Sequence, residues 1–116
     1  MNILVLAAHP DDEVLGMGGT IRKFTKKGFN VKIVIFATGI SARRSSNYKN
    51  TENYDVDDNT MLKMNKQIEK LKIDARSASK VLGVSDIEFL DFPDNEMDLV
   101  SNLEITKSIE KIIKKF

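Results

Sequence analysis

The segment ILVLAAHPDDEVLGMGGTIRKFTKKGFNVKIVIFATG, Ile3 to Gly39, decides the fold. It opens on an unbroken apolar run, Ile3 to Ala8, the pattern of a strand covered on both faces. It closes on a second β-rich run, Asn30 to Ala37, that ends at Thr38-Gly39. Between them a helix is expected to open at Gly18-Gly19-Thr20 and to run to Lys27. Ile21 and Phe24 face inward on that helix, and Gly28 suits its C-terminal cap. Strand, helix and strand in so short a span predict a parallel βαβ unit.

Beyond this unit, residues 40–59 are polar and irregular, and a long polar loop is expected there. From Thr60 the period changes: Met61, Met64, Ile68, Leu71, Ala75, Ala78 and Leu82 recur at threes and fours. This spacing predicts a long amphipathic helix closed by Gly83. Asp86 to Leu90 reads as a third strand, followed by Asp91-Phe92-Pro93-Asp94-Asn95. Ser101 and Glu104 match a capping box, with Val100 and Ile105 as a hydrophobic staple. Leu103, Thr106, Ile109, Ile113 and Phe116 are expected to line the buried stripe of that last helix.

The order β-α-β-α-β-α implies an α/β fold with an open, mostly parallel, doubly wound sheet and helices on both faces. Three such strands lie in the order 3-2-1, which leaves the first strand at an open edge. That strand carries no charge or proline to discourage pairing, so more sheet, or a second copy of the chain in a homo-oligomer, is expected there.

The 116 residues are expected to form a single domain, 1–116. A net charge of +1 supports no nucleic-acid surface. The absence of cysteine excludes thiolate metal sites and cysteine nucleophiles. The opening apolar run is too short for a membrane segment and does not lead into a signal cleavage site, so a cytoplasmic protein is expected.

His9, the only histidine, lies on the loop leaving the first strand, where ligands gather in open α/β sheets. An imidazole and a carboxylate three residues apart, His9 and Asp12, can converge on one ion if the backbone turns between them. One nitrogen and one oxygen suit zinc. Pro10 helps to make the turn, and Asp11 can point toward a water held there. A purely structural reading stays open, because acids before a helix also serve as dipole partners. So does a phosphate loop, although GMGG is not the GxGxxG fingerprint.

AHPDDEVLGMGGTI, from Ala8, closely resembles the signature AHPDDExxGxGG of the LmbE-like family. These are the zinc-dependent deacetylases related to the N-acetylglucosaminyl-phosphatidylinositol deacetylase (PIG-L). The match has no departure from Ala8 to Gly19. The resemblance implies a Rossmann-type protein that removes an acetyl group from an N-acetylated amino sugar or its conjugate. It makes His9 and Asp12 two of three protein zinc ligands and Asp11 the general base. Glu13 holds the loop, and Gly18 and Gly19 let the backbone pass close to the site. More softly, FATGISARR is similar to the family's second-strand ending, which makes Arg43 and Arg44 substrate contacts. DARSASKVLGVSDIEFLDFPDN resembles the family's helix, LGV, strand and loop. Asp74 stands there for the usual glutamate, and no arginine precedes it by one turn.

The family's third zinc ligand is a histidine from an HxDH or HxxH motif, well beyond the equivalent of Phe116. The resemblance therefore covers the N-terminal part of a family member. A shortened form with little or no activity is expected, since Asp91, Asp94 and Asp98 have no spacing that marks them as substitutes. The rival readings are a non-catalytic binding or assembly module that keeps the metal-loop fold, and a nucleotide-binding α/β domain.

Overall fold

The structure is a computed structural model that describes residues 1–37, 58–92 and 101–116. Its elements are β1 (Asn2–Ala7), α1 (Asp12–Lys26), β2 (Asn30–Ile35), α2 (Asp58–Leu82), β3 (Asp86–Phe89) and α3 (Asn102–Lys115). The three strands form a parallel sheet in the order β1-β2-β3. The open α/β architecture and the edge position of β1 read from the sequence are both present. The expected polar stretch 40–59 gives its last two residues to α2; the rest of it lies outside the described residues.

Strand alternation sorts the two faces of the sheet. Val31, Ile33 and Ile35 of β2 point to one face, in register with Ile3, Val5 and Ala7 of β1. On the other side, Ile87 and Phe89 of β3 sit opposite Ile33 and Ile35. Ile21 of α1 and Ala75 of α2 close over this row, and Phe24 and Leu82 pack against it. Ile21, Ile33 and Ile35 are completely buried, and burying such a side chain contributes roughly 1.5–3 kcal/mol. Both α1 and α2 lie on this face because successive crossovers in one direction along a parallel sheet keep the same hand.

The other face carries Lys32, Val34, Glu88 and Leu90, and α3 faces it across a cavity lined by Lys32, Glu88 and Leu90 on one side and Ser108 and Ile112 on the other. Lys32 Nζ lies 3.4 Å from Asp86 and 3.2 Å from Glu88 of the neighbouring strand. Burial alone would lower the lysine's pKa, but the two carboxylates outweigh it and hold the ammonium above its ordinary value. At the end of α3 the Asn2 side chain donates to the Phe116 carbonyl at 2.9 Å, so this helix returns beneath the sheet to the start of β1. No helix of the described residues is long and apolar enough to cross a membrane.

Two expectations need correction. First, α1 begins at Asp12, and Gly16, Gly18 and Gly19 lie inside it rather than at its start. Asp12 and Glu13 occupy the first turn, where carboxylates favour the positive end of the helix dipole, and the apolar spacing carries the helix through the glycines. A Cβ at Gly16 or Gly19 would meet open space, and one at Gly18 would rest in ordinary contact with Val14. No close backbone approach among the described residues therefore requires them. Second, the buried stripe of α3 is Ile105, Ile109, Ile112 and Phe116, with Ile112 deepest, whereas Leu103 and Ile113 are more than half exposed. The cap itself is as expected, with Ser101 Oγ accepting the Glu104 N–H at 3.1 Å. Val100 lies outside the described residues.

In α2 the expected stripe faces inward from Met64 to Leu82, with Ala75 buried. The side chain of Met61 is outside the described residues. Ser79 is also buried, and its hydroxyl has no hydrogen-bond partner among the described residues. Such a group costs its desolvation with nothing in return. Ser79→Ala is expected to stabilise the fold by about 1 kcal/mol, seen as a Tm rise of a few degrees in thermal unfolding. A lower Tm would show that the hydroxyl has a partner after all.

Candidate functional site

The turn between β1 and α1 is built by residues His9 to Asp12. The Asp12 N–H donates to the His9 carbonyl at 3.2 Å, closing a four-residue turn with Pro10 second and Asp11 third. Proline fixes a φ suited to the second position, and a third residue with positive φ makes a turn of type II. Asp11 has φ 94° and ψ −29°, in the left-handed region. Glycine or asparagine ordinarily fills this place; aspartate tolerates it better than other L-residues, and its cost is at most the roughly 1–2 kcal/mol that a left-handed L-residue pays.

Asp11 is also the N-cap of α1, yet its side chain makes no capping hydrogen bond. Capping needs an extended backbone at this position, and the left-handed turn denies it. The two following acids bond backward instead. Asp12 Oδ2 accepts the His9 N–H at 3.0 Å, and Glu13 Oε2 accepts the Asp11 N–H at 3.1 Å. These bonds leave the exposed Asp11 carboxylate uncommitted to the helix it begins.

His9 and Asp12 come together as the three-residue spacing requires. His9 Nδ1 lies 3.9 Å from Asp12 Oδ2, with both side chains partly exposed. Zinc holds nitrogen and oxygen donors at about 2.0–2.2 Å in a tetrahedral arrangement, about 3.4 Å from one another, so this pair must close by about half an ångström to share one ion. The donor set fits zinc in kind, but among the described residues no three His, Cys, Asp or Glu side chains gather to hold a metal. Asp91 is engaged elsewhere, by Lys72 Nζ at 3.1 Å. Asp94, Asp98, Arg43 and Arg44 lie outside the described residues.

Glu13 is 2% exposed, in contrast to its two acidic neighbours. Burial pushes its pKa up; its own N–H and that of Asp11 pull it down, and the charges of Asp11 and Asp12 push it further up. The net shift is upward. An acid held this way is placed for structure more than for proton transfer with solvent.

A second cluster, of which the sequence reading weighs only Asp91, lies at the C-terminal end of β3. Lys72 Nζ and the Arg76 guanidinium lie 5.5 and 5.1 Å from the Phe89 ring centroid, while Lys72 also holds Asp91. Asp91 has φ 57°, a second non-glycine residue in the left-handed region. The four-residue spacing of Lys72 and Arg76 on one helix face was the available signal.

Residues 4–116 match the family model described as PIG-L: GlcNAc-PI de-N-acetylase. The diacetylchitobiose deacetylase of Thermococcus kodakarensis is 30% identical over 97% of this chain and 36% of its own length. The uncharacterized deacetylase YaiS of Escherichia coli K12 is 28% identical over 97% of this chain and 48% of its own. The chain thus spans between about a third and a half of these curated relatives. Among solved structures, the N,N'-diacetylchitobiose deacetylase of Pyrococcus horikoshii superposes with a TM-score of 0.71. It is 27% identical and covers 98% of this chain and 37% of its own. The 4-carboxy-2-hydroxymuconate hydratase GalB of Pseudomonas putida shares the fold at a TM-score of 0.61 and 24% identity, covering 83% of this chain and 36% of its own.

Proposed function

Because the chain belongs to the PIG-L, or GlcNAc-PI de-N-acetylase, family, we propose that it forms the proton-transfer and metal-ligating part of a zinc-dependent deacetylase acting on N-acetylated amino sugars or their conjugates. The observation that carries this reading is the strained turn. A left-handed Asp11 costs stability, and it leaves the carboxylate that precedes Asp12 in the chain uncommitted to the helix cap. Strain kept at such a place points to function.

In this reading His9 and Asp12 hold the ion, with further donors from residues not described here. Zinc, when bound, supplies a Lewis acid for the amide carbonyl and lowers the pKa of water. Asp11 accepts the proton of the attacking water and passes it to the amine nitrogen as the C–N bond breaks, releasing acetate and the free amino sugar. Arg43 and Arg44 meet hydroxyl or phosphate groups of the substrate. The edge of β1, which pairs with no further strand among the described residues, receives more sheet or a second copy of the chain.

The test is acetate release from N,N'-diacetylchitobiose and from N-acetylglucosamine conjugates by the whole protein. Release is expected with zinc present, lost to a chelator and restored by added zinc. No release above that of the Asp11→Asn variant would reject the reading.

A further inference from the structure

The Asp11 carboxylate is useful to the proposed reaction only while its backbone keeps an unfavourable conformation, so something must hold it there. Pro10 does not suffice, since proline in second place serves type I turns as well as type II. The Asp12 bonds to His9 close the turn but do not touch Asp11 itself. Two groups do touch it: the Leu15 N–H donates to the Asp11 carbonyl at 2.8 Å, a bond any helix N-cap carbonyl makes whatever its φ, and Glu13 Oε2 accepts the Asp11 N–H at 3.1 Å. Glu13 sits in the first turn of α1 and is almost wholly buried, so its carboxylate has little freedom to leave. In an ordinary capping box the reach back is made from the third helical residue, and the cap side chain bonds forward in exchange. Here the reach comes from the second helical residue and the forward bond is absent.

We propose that Glu13 is a positioning residue, whose buried carboxylate holds the Asp11 amide and thereby keeps Asp11 left-handed with its own carboxylate turned out of the helix cap. The proposal rests on the deacetylase reading for its effect on rate, but not for its effect on structure. What the role needs is a hydrogen-bond acceptor at Oε2, not a negative charge. Gln offers an acceptor of the same shape, and Leu offers none.

The experiment compares Glu13→Gln and Glu13→Leu in the whole protein by amide hydrogen exchange at Asp11, by melting temperature, and by kcat and KM for acetate release. Glu13→Leu is expected to speed exchange at Asp11 by about tenfold or more while amides at the centre of α1 stay protected. Its kcat is expected to fall by about 10- to 100-fold with KM little changed, the usual loss when a supporting partner is removed. Glu13→Gln is expected to keep Asp11 protected and to hold kcat within about threefold of the parent, since the bond persists. Unchanged exchange at Asp11 in Glu13→Leu would overturn the proposal. So would an equal loss in both variants, because charge and not acceptance would then be the requirement. A parent protein that releases no acetate would reject the deacetylase reading alone, and the exchange comparison would still decide the role of Glu13. If Glu13→Leu fails to fold, Glu13→Met, which keeps the length and loses the acceptor, carries the same expectations.

Discussion

Asp11→Asn lowers kcat for acetate release by about 10²- to 10⁴-fold, the usual worth of a positioned general base. Asparagine has the same shape and tolerates a positive φ, so the turn and the Glu13 bond persist and only proton transfer is lost. KM is expected to stay near the parent value, because the substitution removes a contribution made in the transition state. A wild-type rate would remove Asp11 from the mechanism. Asp11→Gly separates catalysis from strain. Glycine adopts φ 94° without the penalty of at most roughly 1–2 kcal/mol, while loss of a carboxylate at the helix N-terminus costs roughly 0.3–1 kcal/mol. Glycine's added freedom in the unfolded chain costs a further amount of about 0.4–1 kcal/mol, so the contributions nearly cancel and this variant should be inactive yet within about 1 kcal/mol of the parent's stability. A clear loss of stability would mean that the turn is not strained as described.

Gly83→Ala is expected to cost about 2–4 kcal/mol, among the larger effects of a single added methyl group. Gly83 ends α2 with φ 87°, and its missing side chain faces α1. A Cβ there would lie 2.8 Å from Thr25 Oγ1 and 3.0 Å from Thr25 Cβ. The same Thr25 hydroxyl donates to the Leu82 carbonyl at 2.6 Å, tying the end of one helix to the side of the other. An alanine must therefore take a left-handed conformation and also push apart a hydrogen-bonded helix crossing. Gly28 supplies the control. Its φ is 82°, but a Cβ would meet nothing within 4 Å. Gly28→Ala should lose only the conformational part, about 1–2 kcal/mol. Urea unfolding of both variants measures the difference, and equal losses would mean that the contact with Thr25 yields freely.

The sheet was legible in the sequence because its information is local. Continuous or β-rich apolar runs gave three parallel strands, and the glycines at 28 and 83 marked helix ends where a positive φ is in fact adopted. The glycines at 16, 18 and 19 misled for the opposite reason. Their residue type suggests a loop, but the acids before them and the apolar spacing through them already specify a helix. In α3 two apolar tracks run side by side, and only the placement of the helix opposite Lys32 and Leu90 selects the one through Ile112. Within the site, the His9–Asp12 pairing follows from spacing. The left-handed Asp11 does not, since His-Pro-Asp-Asp is compatible with more than one turn.

Lys32 has a consequence for how the chain finds this fold. Its two partners, Asp86 and Glu88, are alternate residues of β3 and so stand on one face of a four-residue strand. If β3 docked one residue out of step, both acids would turn toward Ile33 and Ile35, and Ile87 and Phe89 would turn toward the lysine. A slip of two residues would keep the faces but leave Lys32 with one carboxylate instead of two. So short a strand has few ladder bonds with which to reject such errors. The ammonium between two carboxylates acts as a key for alignment, adding little to the final stability while making misaligned arrangements unfavourable as the third strand arrives.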